Sequence, residues 1–346
     1  MKFNIDEKYL LNCLERILAV PSPTGYYVKL NPVLKAMASE LGYEVTYDNR
    51  STAYITIEGE DNSKTVLVSA HADTIGMVVS GIDDSGRLQV KMIGGVNVIG
   101  AECSNVTVIT RDGKEYTGIF YCKSHSTHAF DDARKLERSE ENMMILLDED
   151  VKSKEDVQEL GIQNGDYVSF DPGFSYTEKG YIKSRFIDDK GGIASAFAML
   201  NYLREKSLKP KFKTIIAFPY YEEKGAGGTY IPEGVSEFLA VDIGLVAPDL
   251  NGDERKVSIC TADGVLPYDY DLTSRIIEYA KKAECDYTID VFYGYGSDAS
   301  AAFKAGNNLR HAAFGMAVYA SHSVERTHIE GLKNTTNLLL AYILDI

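Results

Sequence analysis

The spacing of apolar residues predicts helices and strands at both ends of the chain. Apolar positions recur at helical intervals over 6–19, and a second helix is predicted over about 27–41. Pro32 would either bend this second helix or mark its true start. Three strands are predicted after it: 43–47, 53–58 and 65–69. The last of these is apolar throughout, as expected of a strand that is covered on both faces.

The middle of the chain, about 75–182, has a different pattern, with short strand-like stretches broken by Gly and Asp. The strands predicted there are 76–79, 88–92, 106–110, 118–121 and 167–170. Asp112-Gly113 is a hairpin signal, and a helix is expected only over 153–160. This pattern indicates a β-rich insert over 74–183, either a small barrel or a sandwich.

The alternation of helices and strands returns at Ser184. Helices are predicted over 190–205, 276–284, 297–305 and 329–344. Strands are predicted over 213–220, 239–243, 257–261, 287–293 and 310–315. Such alternation predicts an α/β fold with a mostly parallel sheet covered by helices. We therefore expect one α/β domain, built from 1–73 and 184–346, that is interrupted by the insert.

Composition and charge narrow the possible partners. The chain has 346 residues and a formal net charge of −15, with no basic stripe that would bind nucleic acid. No run of roughly 18 apolar residues is present, so a membrane span is not expected. The five cysteines are widely spaced and the start of the chain does not resemble a signal peptide, which favours a cytoplasmic protein with reduced thiols.

Imidazole and carboxylate groups follow two of the predicted buried strands. His71 and Asp73 come just after one apolar run, and Glu222 and Glu223 come just after another. Active sites of open α/β sheets lie beyond the carboxyl ends of the strands. Two adjacent acids at such a point are costly unless they are paired or metal-bound. Asp73 could accept a hydrogen bond from the far ring nitrogen of His71 and thereby fix its tautomer.

Three further residues complete a ligand set for a pair of divalent metal ions. Asp188 precedes a predicted helix, although helix capping is another common use of an acid there. Asp242 lies at the end of a predicted strand, and either His322 or the nearby His328 precedes the last helix. A metal pair needs imidazole and carboxylate ligands, one bridging carboxylate and a separate carboxylate that moves a proton. The chain is therefore predicted to be a metal-dependent hydrolase.

Motifs of other chemistries are missing from the sequence. It contains no Gly-x-Ser-x-Gly elbow, no phosphate-binding Walker loop and no dinucleotide-binding glycine fingerprint. His125 and His128 lie in the β-rich insert and are expected at the surface. A glycoside hydrolase with paired acids would leave His71 and His322 without a role.

The order of the motifs resembles the dinuclear-metal aminopeptidases, a family that includes glutamyl, deblocking and tetrahedral (TET) aminopeptidases. The motifs are His-x-Asp, the β-rich insert, Ser-Arg-x-x-Asp-Asp, Glu-Glu-x-Gly, Val-Asp and a late His-Ser. The resemblance spans nearly the whole chain. It implies a zinc-peptidase-like α/β domain that holds two divalent ions, and a PDZ-like or barrel-like insert used in assembly. His and carboxylate ligands suit zinc, cobalt and manganese alike.

The resemblance also implies a role for each candidate residue. It gives five metal ligands: His71 and Asp242 for one ion, Glu223 and His322 for the other, and Asp188 as the bridge. Glu222 would be the general acid/base, and Asp73 would orient His71. His322 is preferred over His328 because the ligand in this family directly precedes a serine.

The expected activity is the removal of N-terminal residues from peptides. The resemblance also implies a homo-oligomer, which would be a dodecamer as in relatives. Another amide hydrolase on the same site, such as a deacylase or carboxypeptidase, remains an alternative, as does a non-catalytic relative. Three stretches depart from the family pattern: Lys224, 246–251 and 103–105. They concern the substrate pocket or the subunit contacts rather than the metal ligands.

Overall fold

The structure is a computed structural model that describes residues 2–346. It divides into two compact units, one formed by 2–73 with 173–346 and the other by 74–172. No helix within 2–346 is long and apolar enough to cross a membrane.

The chain contains both helices and strands in each unit. The helices are α1 Glu7–Leu18, α2 Leu30–Glu40, α3 Val98–Ala101, α4 Lys154–Glu159, α5 Ile187–Lys206, α6 Tyr270–Lys282, α7 Asp298–Lys304 and α8 Ile329–Leu344. The strands up to the end of the smaller unit are β1 Thr46–Tyr47, β2 Ala53–Ile57, β3 Asp61–Ser69, β4 Gly76–Ile82, β5 Leu88–Ile93, β6 Ser104–Ile109, β7 Glu115–Cys122, β8 Met143–Leu147 and β9 Tyr167–Phe170. The remaining strands are β10 Ser175–Tyr176, β11 Tyr181–Ser184, β12 Phe212–Phe218, β13 Val235–Val241, β14 Gly244–Leu245, β15 Val257–Ala262, β16 Tyr287–Val291, β17 Arg310–Val318 and β18 Glu325–His328.

The larger unit is built on a nine-stranded sheet with the order β1-β2-β12-β3-β13-β17-β15-β16, and β14 pairs with β17. Four neighbouring strands at its centre, β12, β3, β13 and β17, are mutually parallel. Their carboxyl ends consequently meet at one edge of the sheet. The predicted α/β fold with a mostly parallel sheet is confirmed.

Helix formation in this unit follows the apolar spacing. In α1, Leu10, Leu14 and Ile17 are buried, and Asp6 caps the helix by accepting the Tyr9 N–H. Helices α5 and α8 are buried on most sides, and α5 packs against both α1 and α8. Gly192 of α5 lies so close to the β13 carbonyl of Val241 that a Cβ would collide with it. This glycine lets α5 approach the end of β13.

The smaller unit is a closed six-stranded barrel with the order β4-β5-β8-β7-β6-β9. The hairpin between β6 and β7 turns at Asp112-Gly113, where Gly113 has a φ of +85°. Side chains of Val108, Phe120 and Val168 fill its interior. His125 and His128 are exposed, as expected.

The structure differs from the sequence-based expectation at several strands. Residues 173–183, expected in the insert, form β10 and β11, and β11 pairs with β18 in the larger unit. The 43–47 strand is reduced to Thr46–Tyr47 at the sheet edge, where only one neighbour supports it. Strands β8 and β18 were not predicted, because each depends on pairing with a strand that is distant in sequence or separated by a loop.

Candidate metal centre

Four of the predicted site segments leave the same edge of the sheet. His71 follows β3, Glu222 and Glu223 follow β12, Asp242 follows β13, and His322 lies in the loop after β17. Because these strands are adjacent and parallel, the segments emerge side by side. Asp188 lies in the first turn of α5, where its own backbone is not helical, and it is joined to Asp189 by a cis peptide bond.

The Asp188 carboxylate lies between two imidazoles. Its Oδ1 is 3.0 Å from Nε2 of His71, and its Oδ2 is 3.4 Å from Nε2 of His322. Nε2 of His322 is also 3.4 Å from Oε2 of Glu223. One ligand atom each from His71, Asp188 and Glu223 lie within 4.8 Å of one another. Asp188 thus offers one oxygen to each of two flanking groups.

The remaining predicted site residues border this core. Oε2 of Glu222 is 3.8 Å from Nε2 of His71. Asp242 is buried at the end of β13, where Oδ1 accepts the N–H of Ile243 at 2.7 Å. The Asp242 carboxyl interacts electrostatically with Asp188 and His71, although it is not part of the group formed by His71, Asp188 and Glu223.

Asp73 supports the site in two ways. Its backbone carbonyl accepts the Nδ1–H of His71 at 2.9 Å, while its carboxylate is 3.7 Å from the same nitrogen. That carboxylate instead accepts the hydroxyl of Thr24 at 2.7 Å and the main-chain N–H groups of Glu222 and Glu223 at 3.1 and 3.3 Å. The contact that sets the ring orientation of His71 is therefore made by the main chain of Asp73, and the Asp73 side chain holds the Glu222–Glu223 turn.

Three further acids, which sequence analysis did not assign to the site, have the same supporting role. Asp189 accepts the N–H of His71 at 3.1 Å. Glu325 accepts the N–H groups of Asp188 at 3.0 Å and His322 at 3.2 Å. Asp298 accepts the N–H of Gly228 at 2.6 Å and the hydroxyl of Ser69 at 3.2 Å. Each of these carboxylates thus binds the main chain or a hydroxyl of a segment that lines the site.

Sequence signals for these residues exist but are weak on their own. Asp189 adjoins Asp188, Glu325 follows His322 by three positions, and Asp298 lies just after a Gly-rich turn at the start of α7. Their partners lie far away along the chain, for example 137 residues from Glu325 to Asp188. Only the fold shows that they meet.

The site concentrates acidic side chains without a lysine or arginine to balance them. Eight acids crowd together: Asp73, Asp188, Asp189, Glu222, Glu223, Asp242, Asp298 and Glu325. Over the described range 2–346, their ion pairs are with His71 and His322, and none is with a lysine or arginine. The nearby Lys190 points elsewhere, donating to the carbonyl of Val20 at 2.6 Å.

This environment shifts the pKa values of the acids apart. Burial, with the negative charge of Asp188, raises the pKa of Glu223 to about 8 and that of Asp242 to about 7. Burial also raises the pKa of Glu222 well above its ordinary range, despite the opposing effect of His71. For Asp188, burial acts in the same direction, but the hydrogen bonds from His322 and His71 outweigh it and lower its pKa. Asp188 is therefore the acid that is held ionised.

The donor set fits divalent metal ions. Metal–ligand bonds of about 2.0–2.2 Å place neighbouring tetrahedral ligands about 3.4 Å apart. The two separations of 3.4 Å, from His322 to Asp188 and from His322 to Glu223, match that spacing, while His71 and Asp188 are closer, at 3.0 Å. Added positive charge between these atoms would also relieve the repulsion among the surrounding acids.

Comparisons with known proteins agree with this geometry. The family model for M42 glutamyl aminopeptidases matches residues 51–338. YhfE of Bacillus subtilis (strain 168), whose name describes it as a candidate aminopeptidase, is 36% identical to this chain over 334 residues. The match covers 96% of each chain.

Solved structures share the whole architecture. An aminopeptidase from the archaeon Desulfurococcus kamchatkensis has a TM-score of 0.87 at 23% identity, covering 98% of this chain and 96% of that one. TET1 peptidase from Pyrococcus horikoshii, described as able to assemble into a tetrahedron or a large octahedral shell, has a TM-score of 0.82 at 23% identity. The match to TET1 peptidase covers 97% of this chain and 100% of the TET1 chain.

At these identities the two structures show the common fold, while the family model and YhfE show the family. The resemblance drawn from the motifs is confirmed, and with it the enzyme class, a metal-dependent aminopeptidase. The chain belongs to the M42 glutamyl aminopeptidase family.

Proposed function

We propose that this enzyme removes N-terminal residues from peptides by means of two divalent ions held on opposite sides of Asp188. The observation that carries the proposal is the position of Asp188 between His71 and His322, with one carboxylate oxygen facing each ring. Divalent ions bound there would polarise the carbonyl of the scissile bond and lower the pKa of a water molecule.

The five ligands fall into two groups around Asp188. His71 and Asp242 would hold one ion, since they end adjacent strands and interact electrostatically with Asp188. Glu223 and His322 would hold the other, since their ligand atoms are 3.4 Å apart. We expect zinc, although the same ligands suit cobalt and manganese.

Glu222 is the residue that we assign as general acid/base. Its carboxylate is 3.8 Å from Nε2 of His71, so it lies beside one proposed ion without being among the proposed ligands. Burial, together with the neighbouring acids, keeps the pKa of Glu222 high, which suits a group that takes a proton from water and returns it to the leaving amine. Asp73 would keep both His71 and the Glu222 main chain in place.

The variant Glu222→Gln tests this assignment. We expect both ions to remain, because Glu222 is not a ligand, while kcat on aminoacyl anilides falls by about 10²–10⁴-fold. Elemental analysis measures the ions, and N-acyl amino acids serve as the substrate panel that would reveal a deacylase instead. Glu233→Gln is the matched control, since Glu233 is an exposed glutamate outside the site. Activity of Glu222→Gln close to that of the control would contradict the role of Glu222.

We further propose that the enzyme acts as a homo-oligomer, as large as a dodecamer. The description of the TET1 structure as a tetrahedral or octahedral assembly supports this proposal. Light scattering on the purified protein measures the assembly. A cytoplasmic location remains a prediction, supported by cysteines that all are free thiols in the described structure.

A further inference from the structure

Glu325 connects the two halves of the proposed metal centre through their main chains. The residue is 2% exposed and begins β18. Its Oε2 accepts the N–H of Asp188 at 3.0 Å, and its Oε1 accepts the N–H of His322 at 3.2 Å. A single carboxylate therefore joins the bridging residue to a ligand that lies 134 residues further along the chain, at position 322 against 188.

Glu325 itself is held by the sheet. It pairs with Ser184 in the antiparallel ladder between β11 and β18. The loop that carries His322 is closed at its base by two main-chain hydrogen bonds between Tyr319 and Arg326, at 2.9 and 3.2 Å. The carboxylate is thus a fixed point from which the two ligand segments can be positioned.

The His322 loop needs such a fixed point. Ala320 and His322 both have left-handed backbone conformations, with φ values of +54° and +63°. L-residues other than glycine rarely adopt this region without support from their surroundings. The hydrogen bond from the His322 N–H to Glu325 lies directly at the strained residue.

The opposite side of the centre has its own supports. The main-chain N–H of His71 is bound by Asp189, and its ring Nδ1 is bound by the carbonyl of Asp73. Neither contact involves Glu325. The His71 main chain and its Nδ1 are therefore held without Glu325, and His71 meets the Glu325-bound segment only through its Nε2 contact with Asp188. His322, by contrast, is bound by Glu325 directly.

We propose that Glu325 is a positioning residue that sets the distance between Asp188 and His322 and thereby determines the affinity of the ion held by Asp188, Glu223 and His322. This inference rests on the proposed two-ion function. Partners that orient metal ligands typically change affinity by 10–100-fold when they are mutated.

The variant Glu325→Gln tests whether Glu325 affects the ion on the His322 side more than the ion on the His71 side. The amide has nearly the same shape, but its NH₂ group would face one of the two N–H donors and cannot accept from it. Competitive titration of the metal-free protein with Zn²⁺ gives the two affinities, and titration with Co²⁺ followed by absorption spectroscopy reports each site. We expect the affinity for the ion on the His322 side to fall by about 10–100-fold. The ion on the His71 side shares only Asp188 with it, so its affinity should fall by a smaller factor.

Two further variants make the result specific. Glu330→Gln is the matched control, since Glu330 is a nearby glutamate that pairs with Lys333 and does not contact the ligands. Glu325→Asp keeps the charge but is one methylene shorter, so it can reach only one of the two N–H groups and should give an intermediate loss. If Glu325→Gln does not fold, Glu325→Asp carries the test by the same titrations.

The outcomes distinguish this inference from the function on which it rests. Two ions bound with wild-type affinity by both Glu325 variants would overturn the positioning role and leave the proposed function intact. Equal weakening of both ions would also overturn it, because Glu325 binds the His322 segment directly and the loss should be larger on that side. A wild-type protein that binds no divalent ion would instead refute the proposed function itself.

Discussion

The two ends of strand β13 each have a buried acid, but only one of them is balanced by cationic side chains. Near its start, Glu237 is 4% exposed and accepts hydrogen bonds from Lys64 at 2.8 Å, Arg275 at 2.5 Å and the hydroxyl of Tyr342 at 3.1 Å. Just past its end, Asp242 lies among acids that have no lysine or arginine partner within the described residues 2–346.

The difference appears in the pKa values of the two acids. Burial would raise the pKa of Glu237, but the hydrogen bonds from Lys64 and Arg275 outweigh it and the pKa is lowered. Burial and the charge of Asp188 raise the pKa of Asp242 to about 7. A buried acid with cationic partners avoids the cost of an uncompensated charge, whereas acids without such partners are relieved by protonation or by cations from solution. The acid near the start of β13 is therefore balanced within the fold, whereas the acid at its end belongs to the proposed metal centre.

The largest effect is expected from removing the bridging acid. Asp188→Ala takes away both of the oxygens that face the imidazoles, so both proposed ions should be lost and turnover should fall below detection. Elemental analysis and an aminopeptidase assay measure the two effects. Retention of two tightly bound ions would show that Asp188 is not the bridge.

Neutralising the acids at the two ends of β13 should change stability in opposite directions. Glu237→Gln should lower the free energy of unfolding by about 1–2 kcal/mol, because the partly exposed Lys64 and Arg275 lose a charged acceptor. Asp242→Asn should raise that of the metal-free protein at pH 8, on the order of 1–3 kcal/mol, because an unfavourable buried charge disappears. Urea unfolding of chelator-treated protein measures both, and changes of the same sign would contradict the comparison.

A smaller effect is expected in the pH dependence of stability. In metal-free protein, Glu223 and Asp242 have folded pKa values of about 8 and about 7, so the folded state holds more protons than the unfolded state between pH 4 and 8. Stability should therefore fall as the pH rises through that range. Glu237 has the opposite effect, because its pKa is lowered in the folded state. Its ionised form stabilises the fold above the ordinary glutamate pKa, and this stabilisation is lost as the pH falls.

Thermal unfolding at several pH values, with and without Zn²⁺, checks this dependence. Saturating Zn²⁺ should reverse the trend between pH 6 and 8, because metal binding favours the ionised ligands. A metal-free protein whose stability rises steadily from pH 4 to 8 would show that the site acids ionise freely in the fold.

The sequence predicted the parts of the fold and site that depend on local patterns. The apolar run before His71 and the one before Glu222 identify strands whose ends meet, and the 329–344 helix has the predicted bounds. Helix α4, Lys154–Glu159, lies within the range predicted for it, 153–160. The periodicity of apolar residues and the ends of strands depend on residues that are neighbours in sequence, so a single sequence is sufficient to find them.

Features that depend on distant partners were not predictable in this way. The pairing of β11 with β18 places 173–183 in the larger unit, and no local pattern indicates it. The same applies to Glu325 and Asp298, which act on main-chain groups far along the chain. The sequence also suggested that the Asp73 side chain orients His71, whereas its closest ring contact is made by the Asp73 carbonyl. Residue type alone does not show whether a main-chain or side-chain atom makes a contact.

The most direct test of the account is a crystal structure with anomalous scattering recorded at the absorption edge of the bound metal. We expect two peaks, one between Asp188 and His71 and the other between Asp188, Glu223 and His322. A map with no peak beside Asp188, from active protein saturated with metal, would contradict it.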